Sequence, residues 1–324
     1  MEKTCVVRQL QSEQPVSASA HDEWESRCLV EHIQFDSVNT LGLTVPCKRV
    51  QTIEAAEQTA VDLGWPAWIS AGPLWRMRVE NPDDLPLAWA KAQKHLPQAD
   101  AGVLVQADVQ GDRCRLLGCK VQRAFYPVEI LSERLSADVF GVPMEICVPA
   151  GLAAARYSHL VELSKRAGAA LPQGGYYVEM EWVVSADAIA LVGIHASEMP
   201  DPVLVQLMQF AQGIDLETDV RRAAAFDWPR SAPRRDMAAA VCWLTSHSGV
   251  VESISGIEAA EAVPGVQKVV VRVRPGDILG HVTDIPSRDR LGYLLATGPT
   301  RIQAIETTHA GAGKIVITTK TTLD

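Results

Sequence analysis

The chain has 324 residues, 47% hydrophobic and 21% charged, with 22 glycines and 19 prolines. This is a globular composition, long enough for two cores, and it excludes a disordered or fibrous chain. Thirty basic against 39 acidic side chains give a formal charge of -9, which argues against phosphate-backbone binding and hence against a nucleic-acid partner. Apolar runs such as 188–194 are strand length, well short of the roughly 20 residues that cross a bilayer, so no membrane partner is expected. Residues 1–14 carry Glu2, Lys3, Arg8 and Glu13 without an apolar stretch, so no secretory signal is visible and a cytoplasmic location is expected. The cysteines (Cys5, Cys28, Cys47, Cys114, Cys119, Cys147 and Cys242) form no C-x-x-C pair and the histidines no H-x-x-x-H, which predicts free thiols and no structural zinc.

Residues 1–30 lack periodicity and read as an N-terminal arm. Thr52 caps a helix with apolar residues at 53, 56, 60 and 63 and a stop at Gly64. Strands follow at 66–69 and 75–79, and Asn81-Pro82-Asp83-Asp84 opens a helix over 85–94. Residues 102–107, 114–121 and 144–148 are strand-like, and apolar residues at 152, 155, 160, 163 and 167 mark a long amphipathic helix over 151–168. The runs 176–184 and 189–195 flank the turn residues Ser185-Ala186-Asp187 and predict an antiparallel hairpin. A helix over 202–212 stops at Gly213, and Asp215 caps the next, which runs to about Ala225. The segment 226–236, with two prolines and three arginines, reads as a linker. After it come a β-rich run over 265–274, a helix over 300–307 and strands at 291–296 and 314–318.

Four passages carry a family resemblance. The first is Leu41-Gly42-Leu43-Thr44-Val45-Pro46, followed by the helix and then Leu63-Gly64-Trp65-Pro66-Ala67-Trp68-Ile69-Ser70. The second is 104–111, Leu104 to Gly111, and the third joins the hairpin to Gly213-Ile214-Asp215-Leu216. The last and most specific comprises 248–256, Pro264-Gly265-Val266, Arg274-Pro275-Gly276-Asp277 and Ser287-Arg288-Asp289-Arg290-Leu291-Gly292-Tyr293. In this order they resemble the ATP-grasp superfamily, specifically carboxylate-amine ligases similar to L-amino-acid ligases and the ATP-binding part of biotin carboxylase. The resemblance implies an α+β chain with the ATP-grasp fold: a small subdomain over 31–100, a large one over 101–230 and a small C-terminal β-rich ligase-type domain over 237–324. It starts near Cys28, so the family's N-terminal α/β domain, roughly a hundred residues, is not expected here.

Such ligases phosphorylate a carboxylate and present the acyl phosphate to an amine. They need cations on the triphosphate and magnesium held by carboxylates and an amide. The resemblance puts the phosphate lysine at Ser70, an earlier lysine near Glu31 or His32, and the nucleotide hinge around Gln106 and Val109. It puts one metal carboxylate at Glu179, the other at Gly193, the metal-binding Asn at His195 and the catalytic Arg at Ser197. The covering loop, 71–76, is bulky and lacks a backbone nest. Most chemical positions are therefore replaced while structural ones match. The expectation is a degenerate, non-catalytic homologue without a cofactor, a partner or regulatory subunit that forms a homo-oligomer or a hetero-complex with an active ligase. The alternative is an active ATP- and magnesium-dependent carboxylate-amine ligase with Glu179 on the metal and Arg76, Arg78 or Lys120 on phosphate. A third reading is a cavity that binds another small molecule without turnover.

Other candidates each have two readings. Glu179 and Glu181, on one strand face with His195 opposite, form either a remnant metal site or a solvated or salt-bridged face. Arg230, Arg234 and Arg235 either bind an anion or are a solvated linker. The tryptophans pack the core, fill the nucleotide pocket or face a partner.

Overall fold

A computed structural model describes residues 38–71, 75–96 and 101–320. The expected arm over 1–30 and the position near Glu31 or His32 lie outside the described residues, as does the middle of the covering loop, 72–74. The elements of the described residues are, first, β1 (Cys47–Val50), α1 (Ile53–Leu63), β2 (Ala67–Ser70), β3 (Arg76–Val79), α2 (Leu85–His95) and β4 (Val103–Ala107). Next come β5 (Asp112–Gln122), β6 (Ala124–Leu135), β7 (Pro143–Val148), α3 (Ala154–Ala170), β8 (Gly174–Val184), β9 (Ile189–Ser197), α4 (Pro202–Gln212) and α5 (Leu216–Ala224). The remainder is β10 (Ala238–Trp243), β11 (Gly249–Ser255), α6 (Ile257–Glu261), β12 (Val266–Val271), β13 (Ile278–Leu279), α7 (Ile285–Asp289), β14 (Gly292–Gly298), α8 (Arg301–Ala312) and β15 (Val316–Lys320).

Local chemistry sets the helix ends. Thr52 Oγ1 accepts from Ala55 N at 3.2 Å to start α1, and Gly64, with φ +90°, ends it. Asp201 caps α4 by accepting from Val203 N at 2.7 Å, with Pro202 in the first turn and Gly213 in the left-handed region as the stop. Asp215 caps α5.

A four-stranded sheet, β1-β4-β2-β3, packs Ile69, Met77, Val79, Val103 and Val105 against α1 and α2. Side chains alternate across it, so Trp68, Ser70, Arg76, Arg78 and Gln106 share the opposite, inner face. The second sheet has eight strands in the order β12-β14-β10-β7-β6-β5-β8-β9. One face buries Leu117, Leu131, Tyr177, Val241 and Leu295 against α4 and α5. The other packs on α3 through Leu116, Ile130, Met180 and Trp182, and on α8 through Cys147, Ala240 and Ala304. The inner face of the small sheet looks onto the first of these faces, beyond the helices.

The sheet crosses the linker. β10 pairs with β7 on one side and β14 on the other, so strands from 237–324 extend the sheet of the large subdomain, and only β13-β11-β15 forms a separate sheet. Without β10, β7 would carry an open row of backbone donors and acceptors, and a buried one is costly. The linker lacks regular secondary structure yet is anchored: the buried Asp219 carboxylate accepts from Arg230 N at 2.9 Å and Ser231 N at 3.2 Å. Among the described residues no helix is long and apolar enough to cross a membrane.

Candidate functional site

The cleft between the two sheets is where charged side chains meet. On β5 and β8, Arg113, Arg115, Glu179 and Glu181 alternate with apolar neighbours and stand on the cleft face; Glu133 of β6 joins them, opposite Arg113 in register. The guanidinium of Arg115 reaches three carboxylates at once: Nε donates to Glu133, Nη1 to Glu179 and Nη2 to Glu181, the last at 3.2 Å. The Arg115, Glu133 and Glu179 side chains are 10%, 2% and 4% exposed, so these contacts work in a medium that screens charge far less than water.

From the small sheet, Arg76 crosses the cleft. It donates to Glu181 at 2.9 Å and to the Gly141 carbonyl at 2.9 Å, and its guanidinium lies 5.4 Å over the Trp68 ring. Burial pushes the Glu181 carboxyl up, but Arg76, Arg115 and Arg113 outweigh it and hold it at about 2. Burial dominates at Glu133 and raises it despite Arg115. For Arg115 the order reverses: burial opposes its charge, and Glu133, Glu179 and Glu181 raise its pKa well above the ordinary value. Burial, then Arg76, lowers that of Arg113. Three arginines thus balance three glutamates.

At the hinge, Asp108 collects Trp68 Nε1 at 2.8 Å, Arg78 Nε and Nη2 at 3.0 and 2.9 Å, and Gln110 Nε2 at 2.9 Å. The Trp68 ring packs so closely on Gly141 that a Cβ there would come within 2.6 Å of it. The loop over 136–142 locks onto β3, with Arg78 N donating to Val139 O at 2.6 Å. Past Glu179, at the α4 cap, burial and then the Asp289 charge push the Asp201 carboxyl up to about 6.

The expected site residues fall around this cleft. Ser70, partly buried at the end of β2, faces Arg76 in register, so the basic charge near the expected lysine position comes from the neighbouring strand and is spent on Glu181. Gln106, 6% exposed, uses Nε2 to reach Val192 O at 3.0 Å and ties β4 to β9. Val109 is partly buried in the turn between β4 and β5. Glu179 and His195 are register partners on β8 and β9, but Glu179 is buried against Arg115, not solvated. Lys120 is enclosed, its Nζ donating to the carbonyls of Gly168 and Arg123 at 2.7 and 3.1 Å, and so cannot contact phosphate. Arg115 and Glu133 escaped the sequence reading. For Arg115 the signal is the pair Arg113 and Arg115, two residues apart where the strand-like run 114–121 begins, matching Glu179 and Glu181, two apart on β8.

As disposed, these residues do not fit a magnesium triphosphate. The carboxylates that would chelate a divalent ion hold a guanidinium, and Ser70 supplies no cation. Among the described residues, no group of three or more His, Cys, Asp or Glu could hold a metal ion.

Two sheets closing on a cleft, with hinge, hairpin and capped helices in this order, define the ATP-grasp fold. Solved structures share it: L-amino acid ligase from Bacillus licheniformis superposes with a TM-score of 0.73 at 17% identity, covering 91% of this chain and 73% of that one. N5-carboxyaminoimidazole ribonucleotide synthetase from Thermotoga maritima gives 0.65 at 13%, covering 91% and 74%. The biotin carboxylase domain of Hydrogenobacter thermophilus 2-oxoglutarate carboxylase gives 0.63 at 12%, covering 90% and 67%. The C-terminal part narrows the relationship, because residues 242–320 match the family described as L-amino acid ligase C-terminal domain 2. The chain thus has the ATP-grasp fold, and its C-terminal part is similar to that of L-amino acid ligases. A curated relative, the uncharacterized protein y4rH of Sinorhizobium fredii, is 28% identical over 222 residues, 65% of this chain. The match spans 43% of that relative, less than half its length.

Proposed function

We propose that the chain is a non-catalytic ATP-grasp homologue that acts as a partner or regulatory subunit, with itself or with an active carboxylate-amine ligase. The observation that carries this reading is Arg115. Its guanidinium stands among Glu133, Glu179 and Glu181, and a tethered monovalent cation there leaves no carboxylate pair free for magnesium. Arg76 adds a second lock by joining the two sheets across the cleft.

Thermal unfolding with and without millimolar ATP and magnesium tests it. A ligand at about 100 times its dissociation constant stabilises by about 2.7 kcal/mol, or several degrees. The expected result is no shift with a cooperative transition. A shift that requires both ATP and magnesium would overturn the proposal and restore the active-ligase alternative, to be followed by ADP release in carboxylate and amine mixtures.

A further inference from the structure

A second region of the molecule combines a cavity with polar groups that the cleft does not use. The cavity is about 660 Å³, within the range of small-molecule sites. It lies at the ends of β6, β7 and β10, roofed by the end of α8 and by Ile317 of β15. Arg134, Glu145 and Cys242 are register neighbours there, on the sheet face opposite the one carrying Arg115 and Glu133. The sheet therefore separates these groups from the cleft.

Donors dominate the lining. The Glu145 carboxylate is taken by His309 of α8. Arg134, 58% exposed, has only a long 3.4 Å contact to Glu145, which leaves most of its five donors for another partner. Asp138 is spent on Ser136 Oγ and Phe140 N, both at 2.9 Å. Trp243 borders the cavity from the other face of the sheet, where its ring packs in the core with Val241 and Ile146 and under the Arg288 guanidinium, 3.7 Å from the ring centroid. Met144, Leu244 and Ile315 supply apolar wall.

We propose that this cavity binds a small organic anion, a carboxylate or phosphate carrying an apolar group, with Arg134 on the charge and the aliphatic wall on the remainder. The site is independent of whether the cleft is catalytic.

The probe is 8-anilinonaphthalene-1-sulfonate, an amphipathic anion that fluoresces on leaving water, compared with neutral N-phenyl-1-naphthylamine. Wild type binds the sulfonate more tightly. R134Q removes a charge-assisted hydrogen bond and weakens sulfonate binding about tenfold while leaving the neutral probe unchanged. A312W fills the cavity and weakens both probes. Should A312W fail to fold, R134Q carries the test, since its side chain is mostly exposed. Octanoate and octyl phosphate then compete with the sulfonate, and whichever displaces it names the anion. Equal binding of the two probes, no effect of R134Q, or displacement by neither competitor overturns the proposal.

Discussion

Replacing Arg115 by methionine keeps much of the side-chain volume and deletes the charge. Arg76 still serves Glu181, but Glu133 and Glu179, 2% and 4% exposed, lose their guanidinium contact. Removing one partner of a buried pair costs about 3–5 kcal/mol, because the charge left behind is neither solvated nor paired. That is a large share of the roughly 5–15 kcal/mol by which a domain is stable. The deficit should depend on pH. Burial already raises the Glu133 carboxyl, and loss of Arg115 raises it further, so the variant's native state binds protons that the unfolded chain gives up. Its stability therefore improves as pH falls, and the gap to wild type narrows between about pH 7 and about pH 5. Urea denaturation at the two values measures this, and R115M/E133Q/E179Q should recover most of the loss at the higher one. A loss below about 1 kcal/mol at neutral pH, or a gap that widens on acidification, refutes the claim that Arg115 is the counter-ion of these carboxylates.

R115A should leave Glu133 and Glu179 without their counter-ion while Arg76 keeps Glu181, so millimolar manganese is expected to raise its melting temperature by several degrees while leaving wild type unmoved; equal responses refute this. G141A would drive a methyl into the Trp68 ring from a backbone at φ +53°, costing about 1–3 kcal/mol by chemical denaturation. Asp201 titrates near 6 in the fold against 3.8 as its ordinary value, so its charge costs stability above about pH 6 and nothing below about pH 4. D201N keeps the cap and should stabilise by about 1 kcal/mol near pH 7.5, with no gain near pH 4.

Much of this architecture is legible in the sequence because its ends are chemically marked. Thr52, Asp201 and Asp215 cap, Gly64 and Gly213 stop, and Ser185 closes the hairpin turn. β6 is not legible: Pro127, Glu129, Ser132, Glu133 and Arg134 blur its alternation, since one of its faces joins the charge cluster and the other reaches Glu145. β10, with three alanines, is buried on both faces and so lacks a period-2 pattern. In the cleft, the sequence reading located Ser70, Gln106, Glu179 and His195 one at a time. That an arginine would be their neighbour depends on the β5–β8 register, which no local motif encodes.

The order β12-β14-β10-β7-β6-β5-β8-β9 bears on how the chain is made. Synthesis runs from the N-terminus, so β5 to β9 can form early while β7 waits with an uncovered edge for β10, almost a hundred residues later. β10 in turn has an open edge until β14 emerges, and α8, which closes the face behind them, comes last of the three. The nascent chain thus presents an unpaired strand through much of its elongation, when edge-to-edge association is fastest. A ribosome-bound product ending near residue 235 should be the aggregation-prone species, and yield in cells should respond to translation speed through 238–312 more than to any stretch before it.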